Sequence, residues 1–255
     1  MLGIDSFVLI AIVVYVLAGM VKGTIGIGLP TTAVSLMAQV TDARSAVTLV
    51  VIPMFVTNLW QVIRSGRVVW VLQTFWRLAL TMTVGIGVFG LYATSVSVSF
   101  MTLTLGLVVT LFSLVNLYKD IPAIPQRFDS AAQITAGASA GVIGGIAGVW
   151  SPPMMIYLSS RRLTKEEFVS TVGLLLMLGS MALGVAYMQN GIMSVDRSGL
   201  SAMLVLPAML GFMLGEKIRN RLSGDGFHRA VLIFFLLMGM NLIRRAVMDL
   251  SLIHI

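Results

Sequence analysis

The residues best equipped to hold a ligand lie in one run, Gly19-Met-Val-Lys22-Gly23-Thr24-Ile-Gly26-Ile-Gly28-Leu-Pro30-Thr31-Thr32. It sits between two apolar segments, so Lys22 lies at or near membrane depth. A lysine at the centre of a membrane helix costs roughly 2.5–3.5 kcal/mol on insertion scales, and such residues usually face a cavity or a partner. Glycines at 23, 26 and 28 suit an unwound backbone, and Pro30 suits the first turn of a new helix, where its missing N–H costs nothing. A helix start presents free N–H groups and a partial positive charge. With the Lys22 ammonium beside it, the chemistry is anion binding, and Thr31 and Thr32 add hydroxyls.

A second start of the same kind follows at Gly144-Gly145-Ile-Ala-Gly148-Val-Trp150-Ser151-Pro152-Pro153, without a charge. Asn58 and Gln61 are three residues apart, share a helix face and could offer NH₂ donors. Substrate-binding candidates are therefore Lys22, Gly23, Thr24, Gly26, Gly28, Pro30, Thr31, Asn58, Gln61, Gly144, Gly145, Gly148, Ser151 and Pro152. Other readings stay open at this level. The glycines also form small-xxx-small packing faces. Lys22 also fits a snorkelling position, and the two amides fit interhelical hydrogen bonding.

The elements that position these residues are membrane helices. Charged residues make up only 11% of the 255, and hydrophobic ones 58%, whereas soluble domains carry about 25% charged residues. Leu78–Tyr118, Ser130–Ser160 and Phe168–Val195 contain no Asp, Glu, Lys or Arg. The net charge of +7 comes from basic residues between apolar segments, the pattern of cytoplasmic loops rather than of nucleic-acid binding. The absence of cysteine excludes disulfides and thiolate sites, and two histidines are too few for a multi-histidine metal site. No catalytic residue, metal or cofactor is expected. Phe7–Val21 reads as a first membrane helix rather than a cleaved signal.

Helices are predicted near 6–21, 25–40, 44–63, 70–91, 96–118, 131–149, 165–189, 197–217 and 227–248, with a short one at 151–160. Leu78–Tyr118 would be about 60 Å long as one helix, twice the bilayer core, so it must fold back near Thr94–Ser99. Ser130–Ser160 reads as a helix followed by a re-entrant half-helix. Asp42 caps the helix from Ala43, and Thr164 with Glu167 has capping-box spacing.

The polar stretch 119–129, with Pro122 and Pro125, divides the chain into a first repeat at 1–118 and a second at 130–255. Gly19, Gly23 and Gly26 recur as Gly137, Gly141 and Gly144, 118 residues on. Pro30 and Pro152, then the caps Asp42 and Thr164, are 122 apart, implying a four-residue insertion in the second half. In this register Ala140 replaces Lys22. Five segments per half would invert the second repeat, with the 119–129 linker cytoplasmic and both termini outside. The basic turn at 217–229, against an uncharged counterpart near Thr94–Ser99, supports that sidedness, while Arg244 and Arg245 run against it. The fold class is an all-α integral membrane protein, two inverted repeats of transmembrane helices with broken or re-entrant half-helices.

Lys22-Gly23-x-x-Gly26-x-Gly28-x-Pro30, then Ala43–Ala46, Pro53 and Asn58-x-x-Gln61, resemble the sulfite exporter TauE/SafE family, also called the 4-toluene sulfonate uptake permease family. The resemblance covers the whole chain in length and layout. It implies a secondary transporter for small sulfur-containing anions, such as sulfite or sulfonates, in the bacterial inner membrane. It also makes Lys22, Gly23, Gly26, Gly28, Pro30, Asn58 and Gln61 site positions. The expected partners are a small anionic substrate, membrane lipid and a second copy of the chain as a homodimer, and no nucleic acid. An anion channel is the nearest alternative. A membrane enzyme lacks a mid-span Ser–His pair, and a scaffold would move no solute.

Overall fold

The computed structural model describes residues 4–118, 122–219 and 224–253. Lys119, Arg221 and His254 lie outside them. The described residues form eleven α-helices and one 3₁₀ turn, with no strand among them. In order these are α1 (Ile4–Ile25), α2 (Leu29–Met37), α3 (Ala43–Ser65), α4 (Val68–Leu91), α5 (Val98–Tyr118), α6 (Asp129–Ala147), α7 (Ser151–Ser159), α8 (Lys165–Gln189), α9 (Val195–Met203), α10 (Val205–Arg219) and α11 (Gly224–Ile253). Among the described residues, seven stretches are long and apolar enough to cross a membrane: α1, α3, α4, α5, α8, the α9–α10 run and α11. The chain is a multi-pass membrane protein.

The uncharged run folds back between Leu91 and Val98, as its length demands. Two sequence expectations are corrected. The helix expected over 25–40 is a nine-residue helix, α2, because Gly26 and Gly28 hold φ of 90° and 104° and break the path from α1. The helix expected over 197–217 is interrupted at Leu204. Pro207 has no N–H to offer the carbonyl four residues back, so the ladder is weakened just there.

A series of landmarks recurs along the chain at one spacing. Gly26 and Gly148 are both left-handed, φ 90° and 70°. Three residues later come two nine-residue helices, α2 and α7, then the long helices α3 and α8 from Ala43 and Lys165. Every landmark is 122 residues from its counterpart, so Gly19, Gly23 and Gly26 correspond to Gly141, Gly145 and Gly148. No insertion is needed, and Gly144 rather than Ala140 stands at the position of Lys22. Both registers satisfy the glycine spacing, because the series Gly137, Gly141, Gly144, Gly145, Gly148 tolerates a slip of one helical turn.

The chain divides into two compact units, each drawing on both sequence halves. The first contains the described residues within 1–53, 98–117 and 195–255; the second contains those within 54–97 and 118–194. In the first unit α1 packs along α10. Gly23 permits the approach, since a Cβ there would strike the Phe212 carbonyl. In the second unit α6 packs along α4, with Gly145 against the backbone of Phe89 and Gly90.

Long-range polar bonds complete each unit. In the first, Pro53 lies inside α3 and cannot donate to Leu49; the Ser201 hydroxyl, from α9, donates to the Leu49 carbonyl at 2.9 Å instead. Arg245 of α11 donates to the Ala38 carbonyl at the end of α2 at 2.5 Å, and Asn241 to Gln39 at 2.5 Å. A cation at a helix C-terminus satisfies orphan carbonyls and opposes the dipole. Arg245 thus caps α2, whatever it contributes to sidedness. In the second unit the expected capping box forms: Glu167 N–H donates to Thr164 Oγ1 at 3.3 Å and Thr164 N–H to Glu167 Oε2 at 2.9 Å.

Candidate functional site

Lys22 occupies the last turn of α1 and is fully buried, 0% exposed. Its carbonyl accepts the N–H of Gly26 at 2.7 Å, which closes α1 immediately before the break. Its ammonium lies 5.8 Å from the centroid of the Phe212 ring, a cation–π distance. The backbone then turns through Gly26 and Gly28, and α2 opens with Leu29, Pro30 and Thr31. A helix start leaves its first N–H groups without intrahelical acceptors, and Pro30 removes one of these.

The hydroxyls around this break differ. Thr24 is turned back on α1, donating to the carbonyls of Met20 and Val21 at 2.8 and 3.0 Å. Thr32 donates to the Gly28 carbonyl at 2.7 Å and tightens the first turn of α2. Thr31 is buried beside it. Tyr15 and Ser35 are fully buried, and their hydroxyls have no hydrogen-bond partner in the structure. Tyr15 precedes Lys22 by seven residues, two helical turns along the same face of α1, and Ser35 lies in the second half of α2.

The second start lies in the other compact unit. Gly148 donates its N–H to the Gly144 carbonyl at 2.9 Å and closes α6. Val149 and Trp150 cross the break, and α7 opens with Ser151, Pro152 and Pro153. The Trp150 indole packs between Gly144 of α6 and Gly179 of α8; a Cβ on either glycine would collide with it. Its ring nitrogen is buried without an acceptor. Gly144 and Gly145 therefore serve packing here, one against the indole and one against α4.

Asn58 and Gln61 also belong to this second unit, and both are buried. Asn58 Nδ2 donates to the Met54 carbonyl of its own helix at 2.7 Å. Gln61 Nε2 donates to the Val169 carbonyl of α8 at 2.6 Å, its side chain lying against Gly173. The Gln61 Oε1 atom has no donor. Among the candidates, Lys22 through Thr31 lie together in the first unit, and Asn58, Gln61 and Gly144 through Pro152 lie in the second. Among the described residues no group of three or more His, Cys, Asp or Glu could hold a metal ion.

A buried lysine stands at a glycine-broken helix end, a few residues ahead of a proline-led helix start. A family model described as Sulfite exporter TauE/SafE matches residues 11–242. The chain belongs to this family. Members of the TauE/SafE family are membrane transporters rather than enzymes. The match covers both breaks, both short helices and every candidate residue. Neither curated proteins nor solved structures provide a match.

Proposed function

We propose that the chain is a secondary transporter for a small sulfur-containing anion, sulfite or a sulfonate, working by alternating access in a bacterial inner membrane. The observation that carries the reading is Lys22, wholly buried where α1 breaks and α2 begins. A buried ammonium is costly in a bilayer, and an oxyanion that enters brings the opposite charge and several acceptors for N–H and O–H groups. We assign anion binding to this break, through Lys22 and the backbone of Gly26 to Thr31. The break before α7 repeats the geometry with Gly144 in place of the lysine, so its donors are neutral. The two halves act as inverted repeats in this reading, since transporters commonly build midplane sites from half-helix starts.

The test is flux. Purified chain in liposomes is offered sulfite, thiosulfate, sulfoacetate and taurine, with and without an ion gradient. Saturable movement of a sulfur anion, accumulating against its own gradient when an ion gradient is imposed, supports the reading. Movement that only equilibrates the anion identifies a channel. No movement of any of the four removes the reading.

A further inference from the structure

Helix α4 is bent at Phe75, whose φ and ψ of −119° and 23° are not helical. In a regular helix the N–H of Leu78 bonds the carbonyl of Thr74. Here the side-chain amide of Gln133, from α6, takes up both ends of that rung. Its Oε1 accepts from Leu78 N–H at 3.4 Å, and its Nε2 donates to the Thr74 carbonyl at 3.1 Å. Insertion of a side chain into the ladder is a recognised cause of a kink. Gln133 is 1% exposed, so these bonds are made away from water.

The same amide is tied to the short helix α7. Gln133 Nε2 also donates to Asp129 Oδ2 at 3.0 Å. The other oxygen of Asp129 accepts the Tyr157 hydroxyl at 2.7 Å and pairs with Arg161 at 3.2 Å. Tyr157 lies on α7 and Arg161 two residues beyond its end. The Tyr157 ring meets the Phe75 ring edge to face, centroids 6.2 Å apart. The short helix therefore grips the kink twice, through Asp129 and Gln133 to the rung and through ring contact to the bent residue.

We infer that Gln133, Asp129 and Tyr157 are positioning residues that couple the placement of α7 to the bend of α4. The rung has two arrangements, and both satisfy the backbone. With Gln133 inserted, Leu78 N–H and Thr74 C=O bond the amide and α4 is bent. With Gln133 withdrawn, they bond each other and α4 straightens. Exchange leaves no buried backbone group unpaired, which suits a two-state element rather than a static brace. A displacement of α7 pulls on Asp129 and Phe75 together, so the start of α7 and the bend of α4 move as one. Only the transport readout below rests on the proposed function; the coupling itself does not.

The experiment uses full-length protein carrying Gln133→Met or Tyr157→Phe. The first keeps length and loses the amide; the second keeps the ring and loses the bond to Asp129. Two readouts are taken: hydrogen exchange at the Leu78 amide, and sulfite flux in liposomes. Both variants should slow exchange at Leu78 by about tenfold as the rung closes on itself. Turnover should fall by about tenfold, with the half-saturating concentration within about twofold of the parent, the signature of a defect after binding. Tyr157 makes no bond to Leu78, so a purely local role for its hydroxyl would leave that amide unmoved. If Gln133→Met does not fold, Tyr157→Phe decides alone. Unchanged or faster exchange at Leu78 in Tyr157→Phe overturns the inference, as does parental turnover in every variant that folds. If the parent moves none of the sulfur anions, the proposed function fails, and the exchange data still decide the coupling.

Discussion

Gly26 and Gly148 hold the same left-handed turn, 122 residues apart, each ending a long helix and each three residues ahead of a nine-residue one. Two stretches of chain therefore fold into one motif: long helix, glycine break, short helix led by proline, capped long helix. The motif carries a buried lysine once and a glycine once. The charge that can attract an anion is thus confined to one copy, while the backbone geometry is common to both.

This makes the turn glycines testable by conformation alone. A residue with a Cβ pays roughly 1–2 kcal/mol in the left-handed region, and Asn pays less than Ala. Gly26→Ala and Gly148→Ala should each lower the thermal midpoint of the purified protein, with Asn at the same positions falling between Ala and the parent. Equal midpoints for Gly, Asn and Ala at Gly26 would mean that the turn is not left-handed there.

Much of this architecture was legible because membrane burial leaves strong marks. The fold-back after Leu91, the breaks within 22–30 and 145–153, and the Thr164–Glu167 cap all lie where run length, glycine with proline, and cap spacing put them. The 122-residue spacing was legible in the prolines and caps but not in the glycines, because glycines spaced four and three apart fit equally well after a slip of one turn. Nor was the pairing of α1 with α10 and α6 with α4, since apolar helices of similar composition carry little that names a partner. The candidate site was legible in its charged residue and its turns. The unpartnered atoms of Tyr15, Ser35 and Trp150 were not, because an unpartnered buried atom is a property of the packing rather than of the sequence.

Pro53 and Ser201 offer a test of the first unit. The Ser201 hydroxyl is the donor that replaces the N–H missing at Pro53, and both it and the Leu49 carbonyl it serves are away from solvent. Ser201→Ala should cost about 1–3 kcal/mol, the penalty of a buried acceptor left unmet. Restoring the backbone donor with Pro53→Ala in the same chain should recover most of it. A double variant no more stable than Ser201→Ala would show that the two are independent.

Asp42 sets an acid limit on the start of α3. Its Oδ1 accepts the Ser45 N–H at 2.9 Å, an N-cap bond. Desolvation alone would raise the pKa of this carboxyl; the hydrogen bonds from Ser45, with Arg197 nearby, outweigh it and hold the pKa below the ordinary carboxylate value. A depressed folded-state pKa contributes stability that is complete above the unfolded value, about 3.9, and is lost as pH falls through the folded one. Asp42→Asn keeps an acceptor and removes the charge, so its midpoint should depend less on pH below about 4 than the parent's. Asp42→Ala should cost about 1 kcal/mol at neutral pH through the lost cap. Parallel acid profiles for Asp42→Asn and the parent would remove Asp42 from the account.

The two ends of α5 should open on opposite sides of the membrane. It runs from Val98 to Tyr118, and 21 residues span about 32 Å, enough to cross the hydrocarbon core. The α4–α5 turn near Ser95 and the polar stretch around Gln126 are separated by this crossing. Cysteines placed singly at Ser95 and Gln126, in a chain with no native cysteine, should react with an impermeant maleimide from opposite sides, Gln126 from the cytoplasm. Labelling of both from one side would rule out a cytoplasmic linker paired with inverted halves.

Lys22 carries the heaviest expectation. Its side chain is enclosed at the end of α1, over the Phe212 ring. Lys22→Met keeps the apolar stem and removes the charge, so helix packing should survive and the thermal midpoint should stay or rise, since a buried charge no longer has to be accommodated. Saturable anion binding should disappear. Lys22→Arg keeps the charge, but the guanidinium is larger and planar, and it should restore binding only in part. The measurement is the shift in midpoint on titrating sulfite into each purified variant, read beside flux. A snorkelling lysine would give a different pattern: Lys22→Met would bind sulfite as the parent does, and Lys22→Arg would be indistinguishable from both. That result would move the anion site away from the first break.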